Sequence, residues 1–158
     1  MERSIALRSE SGNALVETAL LMSFIGVPLL LGTVYTSILY QDDIIIANAA
    51  VVGAEYGMVS TTYASDTSNI IAAARGEAIG LGSTLSVTPT VYWACSTALG
   101  GTTYTTSAAA TAACTGGTSH ALEFLKVVAS ASVTPPVTFP GLSPSVTLSS
   151  TSVMEVEE

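Results

Sequence analysis

An uncharged, strongly apolar stretch near the N-terminus constrains this chain more than any other feature. No Asp, Glu, Lys or Arg occurs in residues 18–41. As an α-helix with a rise of about 1.5 Å per residue, this stretch is roughly 36 Å long. The hydrocarbon core of a bilayer is about 30 Å thick, so the sequence predicts one membrane-spanning helix over residues 18–41.

Charges on the two sides of this stretch predict its orientation. Arg3 and Arg8 precede it, whereas Asp42 and Asp43 follow it. Because the cytoplasmic flanks of spanning helices carry an excess of Lys and Arg, we expect a cytoplasmic N-terminus and a translocated C-terminal part.

Two cysteines lie in the part that is predicted to be translocated. Cys95 and Cys114 would then be in an oxidising compartment, so we expect them to form one disulfide. The bond would close a loop of about 20 residues and stabilise the fold by about 3 kcal/mol in the chain-entropy description.

The overall composition favours a membrane protein or a subunit of an assembly. Apolar residues make up 49% of the chain and charged residues only 10%, well below the usual charged share of about 25%. The net charge of −8 arises from 12 acidic and 4 basic residues. Four scattered cations are too few to neutralise a run of phosphates, so we expect no nucleic acid partner.

Hydrophobic periodicity predicts an α+β fold. The spanning helix is expected to continue beyond the membrane, since no helix breaker occurs before Gly53, and Ala47, Ala50 and Ala54 give it a narrow face for close packing.

Residues 60–65 are turn-like. A second, shorter helix follows, capped by Asp66 or Thr67, with one apolar stripe; the stripe consists of Ile70, Ile71, Ala74, Ala78 and Leu81, and Gly80 and Gly82 end the helix.

Three alternating segments predict a small antiparallel sheet of about three strands. The apolar positions of the three strands are Leu85, Val87, Val91 and Trp93; Leu125, Val127, Ala129, Ala131 and Val133; and Val146, Leu148, Met154 and Val156. Pro89 assigns the first strand to an edge or a bulge.

Two connecting segments also have clear signals. Residues 100–119 are nearly all small or polar and predict a surface loop closed by the disulfide. The prolines of residues 135–144 predict a stiff, non-helical connection.

One carboxylate lies at the N-terminal end of the predicted membrane-spanning helix. Glu17 lies five residues after Gly12, and a charge inside a spanning helix calls for a functional partner. Proteolysis after Gly12 would create one, because the new α-amine of Asn13 would lie one helical turn from the Glu17 carboxylate. The helix dipole would also favour an anion in this new first turn.

In these residues the chain resembles type IV prepilins. The resemblance consists of a short basic leader, Gly12 at the cut, Glu17 at the fifth position of the mature chain and an unbroken apolar helix. Within that group the chain is most similar to the TadE-like pseudopilins of the tight-adherence (Flp, type IVb pilus) system, through residues 10–20, the apolar run around Pro28 and the Ala-rich residues 47–50. The similarity covers the first 60 residues, and the remainder in outline.

The resemblance implies a structural assembly protein with a pilin-like fold. It implies a cytoplasmic leader of residues 1–12, a transmembrane helix with its extension over residues 13–59, and an exported α+β head domain over residues 60–158. It also implies cleavage by a prepilin peptidase, residence in the bacterial inner membrane, and a surface pilus as a further destination. The implied partners are the lipid bilayer, other pilin or pseudopilin subunits and an inner-membrane assembly platform, with roles in pilus assembly, adhesion or biofilm formation.

Sequence patterns typical of enzymes do not emerge. His120 is the only histidine, no nucleophile-elbow pattern accompanies it, and we expect it in a surface loop. No His, Cys and Asp cluster has metal-ligand spacing, so we expect neither a metal nor a cofactor.

A conventionally secreted or membrane-anchored periplasmic binding domain is the alternative. Ala47, Asn48 and Ala49 fit the small-residue pattern of a signal peptidase site before Ala50. Against it, the leader would run to Ala49 and would carry Asp42 and Asp43 between the apolar run and the cut, whereas signal peptides are about 15–30 residues long.

Overall fold

A computed structural model describes residues 3–81, 84–97, 101–136, 141 and 143–157, with side chains from Gly12 onward. It confirms an α+β fold that begins with a long apolar helix. The described residues form two units: one consists of those up to residue 39 and those between 135 and 144, and the other of those between 40 and 134 and between 145 and 157. Gly82 and Pro140, which the sequence predicted to end a helix and to stiffen a connection, lie outside the described residues.

The N-terminal helix contains one short irregularity. Helix α1 (Arg3–Leu21) passes through a π-helical segment (Met22–Gly26) into helix α2 (Val27–Met58). Pro28 explains the irregularity, because it lacks an N–H and its ring clashes with the carbonyl four residues earlier. The backbone N–H of Val27 bonds instead to the carbonyl of Met22, five residues back.

In the first unit, one side chain of α2 is buried. Tyr35 is 5% exposed, and its hydroxyl donates a hydrogen bond of 3.1 Å to the backbone carbonyl of Ser143. The described residues between 135 and 144 form no helix or strand, as the prolines predicted.

In the second unit, the C-terminal part of α2 packs through small residues. Ala49, Ala50 and Ala54 are fully buried, whereas Ala47, predicted to share this face, is only half-buried. A Cβ at Gly53 would lie 3.2 Å from Ala74 Cβ and 3.3 Å from Val127 Cγ1. The narrow face that the sequence predicted for a neighbouring helix or sheet is therefore occupied by the chain's own sheet and by the helix that carries Ala74.

Two capped helices follow α2. Residues 60–65 are not a simple turn, since Ser60 caps helix α3 (Thr61–Ser65) by accepting a hydrogen bond of 3.4 Å from the N–H of Tyr63. The pattern alone could not show this helix, because one turn is too short to display periodicity. Asp66 caps helix α4 (Thr67–Glu77), as predicted, by accepting a bond of 3.1 Å from the N–H of Asn69. Helix α4 ends at Glu77, before Gly80, and the predicted apolar stripe faces the core.

The sheet has four antiparallel strands in the order β2-β1-β3-β4, not about three. The strands are β1 (Ser86–Cys95), β2 (Thr103–Tyr104), β3 (Ala121–Val133) and β4 (Val146–Glu155). The unpredicted strand, β2, is too short for alternation to be visible and pairs only with Trp93 and Ala94. Pro89 therefore lies where the outer edge of β1 has no partner strand among the described residues, in agreement with the prediction.

The core of the second unit lies between the sheet and helices α2 and α4. The predicted apolar face of β3 is buried along its whole length, and Leu125 and Val127 are fully buried. In β4, Leu148 and Met154 pack against this core, and Val156 after the strand is buried in it. The alternation therefore predicted the correct face of β3 and β4. In β1 it was correct for Leu85, Val87 and Val91, whereas the buried Ala94 lies on the other face and Trp93 is outside this core.

The predicted disulfide forms, and the loop that it closes is more ordered than expected. Cys95 and Cys114 are bonded, with their Cα atoms 5.4 Å apart. Besides β2, the loop contains helix α5 (Ser107–Ala113), which Thr106 caps. Ala110 of α5 is fully buried, because an alanine-sized group suffices where the helix lies directly beside the strands. The predicted surface loop closed by the disulfide is therefore confirmed, but it contains a short helix and a two-residue strand that the sequence did not predict.

Candidate processing and assembly site

The residues of the predicted cleavage site lie on an exposed and continuous helix. Gly12, Asn13 and Glu17 all belong to α1, and the helix is unbroken between them. A Cβ at Gly12 would meet no atom within 4 Å. Every side chain from residue 12 to residue 20 is exposed.

Glu17 is an isolated carboxylate on an apolar surface. Its neighbours Leu15 and Val16 are 73% and 59% exposed. The Glu17 carboxylate forms no hydrogen bond or ion pair with any side chain that the structure describes. Helical geometry places residues 13 and 17 one turn apart, about 6 Å along the axis. An amine at residue 13 would therefore be the nearest cation available to this carboxylate.

The surface beyond Glu17 consists mainly of large, exposed hydrophobic side chains. They include Leu20, Leu21, Met22, Phe24, Ile25, Val27, Leu29, Leu30 and Val34. The helix from Gly12 to Met58 is long and apolar enough to cross a membrane, and its most apolar window is entirely unburied within the chain. This surface is therefore suited to lipid or to other apolar helices.

Polar groups within this apolar surface are satisfied by the helix itself. The hydroxyl of Thr18 donates to the carbonyl of Ala14 at 2.9 Å, and that of Thr33 donates to Leu30 at 2.8 Å. Thr36 likewise donates to Gly32 at 3.1 Å. Hydroxyls with such bonds can enter a membrane or a helix bundle without an unpaired donor.

The sequence predicted His120 in a surface loop, and it is exposed just before β3. Its backbone N–H donates to Ser96 Oγ at 3.2 Å, and its carbonyl accepts from the N–H of Ser96 at 2.9 Å. Together with the disulfide, these bonds close the base of the loop between β1 and β3. Within the part of the chain that the structure describes, no group of three or more His, Cys, Asp or Glu residues could hold a metal ion.

The sequence correctly predicted the disulfide, and the N-terminal site stays a prediction; the open edge of the sheet at β4 was missed. The signal for it was present: residues 146–154 contain no Pro, Lys or Arg, the residues that usually protect a sheet edge. The alternation of β4 indicates only its buried face, whereas the strand order that makes β4 the last strand depends on contacts far apart in the sequence.

Comparison of the chain with protein-family models, with curated proteins and with solved structures finds no match.

Proposed function

We propose that this chain is a structural assembly protein, a TadE-like minor pilin or pseudopilin of a Tad-type pilus or secretion apparatus. It is made in the inner membrane with its N-terminus in the cytoplasm and its head outside. A prepilin peptidase removes residues 1–12, and the mature chain joins or initiates a filament. Its role is to associate with other subunits and not to convert a substrate.

One observation carries this proposal: an unpaired carboxylate at the start of a long, exposed apolar helix. Glu17 has no partner among the described residues, and the surface that follows it is apolar. Insertion of a carboxylate into a membrane costs about 2.5–3.5 kcal/mol of free energy at the bilayer centre and less near an end of the helix. The presence of Glu17 therefore points to a partner supplied from elsewhere.

Cleavage supplies that partner. After the bond following Gly12 is cut, Asn13 carries an α-amine that is protonated below about pH 8. This amine pairs with Glu17 of its own chain or of a neighbouring subunit. When two opposite charges leave water together, each is stabilised by the other. Removal of one member of such a buried pair costs about 3–5 kcal/mol of stability. The pair therefore favours helices that pack in a register where it can form.

Burial of the helix extension supports this proposal over a signal peptidase cut before Ala50. Ile46 and Ala49 are fully buried in the core of the second unit. Removal of residues 1–49 would delete both side chains and leave a cavity. Loss of a buried Ile alone costs about 2–5 kcal/mol. In the pilin proposal the whole of α2 is kept.

Substitution of Glu17 tests the assembly role. We expect Glu17→Ala to be cleaved normally but to reduce incorporation into filaments at least about tenfold, because the Asn13 amine loses its partner. The measurement is the amount of protein in the sheared surface fraction relative to the membrane fraction. Glu55→Ala is the matched control, since Glu55 is an exposed carboxylate farther along the same helix. Equal incorporation of both variants would remove the proposed role of Glu17.

A further inference from the structure

The two edges of the four-stranded sheet differ in how well they are protected. On one side, β2 covers the end of β1, and Pro89 lies in the uncovered part of β1, where it offers no N–H to a partner. On the other side, β4 is the last strand and pairs only with β3 among the described residues. The outward-facing backbone donors and acceptors, which belong to alternate residues of this ten-residue strand, therefore have no partner strand among the described residues.

The residues of β4 leave this edge open to pairing. No Pro interrupts the strand, and no Lys or Arg occurs in it. Its side chains alternate regularly between half-buried and exposed, so the strand contains no bulge that would turn the edge away. Small and β-branched side chains dominate the exposed positions, which are Thr147, Ser149, Thr151, Val153 and Glu155. Such a strand is a template for the addition of another.

Charge selects the kind of strand that fits. A cleft of about 600 Å³ lies at the C-terminal end of β4, and its lining includes Glu155, Glu157 and His120 but no Lys or Arg. The chain as a whole carries a net charge of −8, which disfavours a second copy as the occupant. A basic segment of another protein is attracted to this end of the edge.

We infer that the outer edge of β4 is a docking site for an extended segment of another protein, which adds as an antiparallel fifth strand. Its basic residues lie at its N-terminal end, because an antiparallel strand places that end beside Glu155 and Glu157. Antiparallel addition continues the arrangement of the existing sheet, in which every neighbouring pair is antiparallel. Main-chain hydrogen bonds hold the segment, and the cleft sets its direction. This inference goes beyond the assembly role and does not depend on leader cleavage.

A synthetic peptide of two lysines followed by four Val-Thr repeats serves as the probe, and full-length protein in lipid nanodiscs serves as the receptor. We expect the peptide to bind with a Kd below about 1 mM, and more weakly at high salt. Upon binding, amide hydrogen exchange should slow in residues 146–155 but not in residues 86–92. The matched control peptide carries N-methyl groups on alternate residues, which remove its donors. It should bind at least about tenfold more weakly.

Substitutions in the protein test the role of charge. Glu155→Gln combined with Glu157→Gln should weaken binding of the lysine peptide about threefold to tenfold. Glu55→Gln combined with Glu77→Gln removes the same charge from exposed helix positions and should leave binding unchanged. Any one of three results would overturn the inference: equal binding of the N-methylated peptide, protection in residues 86–92 instead of 146–155, or equal binding to empty nanodiscs.

Discussion

At the residue scale, glycine determines how closely α2 approaches the sheet. A Cβ at Gly57 would collide with Cδ2 of Leu125 and would lie 3.2 Å from Cδ1 of Ile70. Both of these side chains are fully buried, so neither has free space into which it can move. Gly76 in α4 is the opposite case, because a Cβ there would meet no atom within 4 Å.

These two glycines give a matched pair of substitutions. Gly57→Ala gains about 1 kcal/mol in helix propensity but costs about 1–3 kcal/mol by overpacking the core. We expect a net loss of stability and a Tm lower by several degrees. Gly76→Ala gains propensity without a clash and should raise Tm by about 2–5 °C. Thermal unfolding of the full-length protein in detergent, followed by the fluorescence of Trp93, measures both. A stabilising Gly57→Ala would show that α2 is not held this close to the sheet.

At the element scale, the disulfide links the end of β1 to the end of α5. Hydrogen bonds between Ser96 and His120, and a bond of 3.0 Å between Thr97 Oγ1 and Ser119 Oγ, close the loop beside it. The enclosed helix buries little besides Ala110. A loop with so small an apolar contact depends on its covalent closure and on the bonds at its base.

Removal of the disulfide should therefore destabilise the head without affecting the N-terminus. Cys95→Ser combined with Cys114→Ser should lower Tm by on the order of 10 °C, because the unfolded chain regains the entropy of an open loop. Reduction of the unsubstituted protein should produce a similar shift, and a reductant should not change the doubly substituted protein. Leader cleavage should proceed as before. An unchanged Tm after reduction would contradict a stabilising role for the bond.

Sequence patterns predicted the elements whose signals are long and local. The apolar helix, the Asp66 cap, the buried faces of β3 and β4 and the disulfide were all predicted correctly. Helices α3 and α5 and strand β2 were missed, because five, seven and two residues are too few to establish a period. The open edge at β4 was missed for a different reason, since strand order depends on pairing between distant residues.

At the scale of the whole molecule, one continuous helix has two different surfaces. Its N-terminal part exposes large apolar side chains and Glu17, while its C-terminal part is packed into the second unit through Ala50, Gly53 and Ala54. In the proposed account the first surface contacts lipid before assembly and other helices afterwards. The second surface holds the head on the same helix throughout. If residues 1–12 are removed as proposed, the span predicted from residues 18–41 would be a temporary anchor whose new N-terminus prepares it for packing.

The N-terminal residue of the mature protein tests this account most directly. The full-length chain is expressed in cells with and without an active prepilin peptidase, purified from the membrane, and analysed by intact mass and N-terminal sequencing. We predict that the protein begins at Asn13 when the peptidase is active and keeps residues 1–12 when it is absent. A mature protein that begins at Met1 in both cells, or at Ala50, would contradict the account.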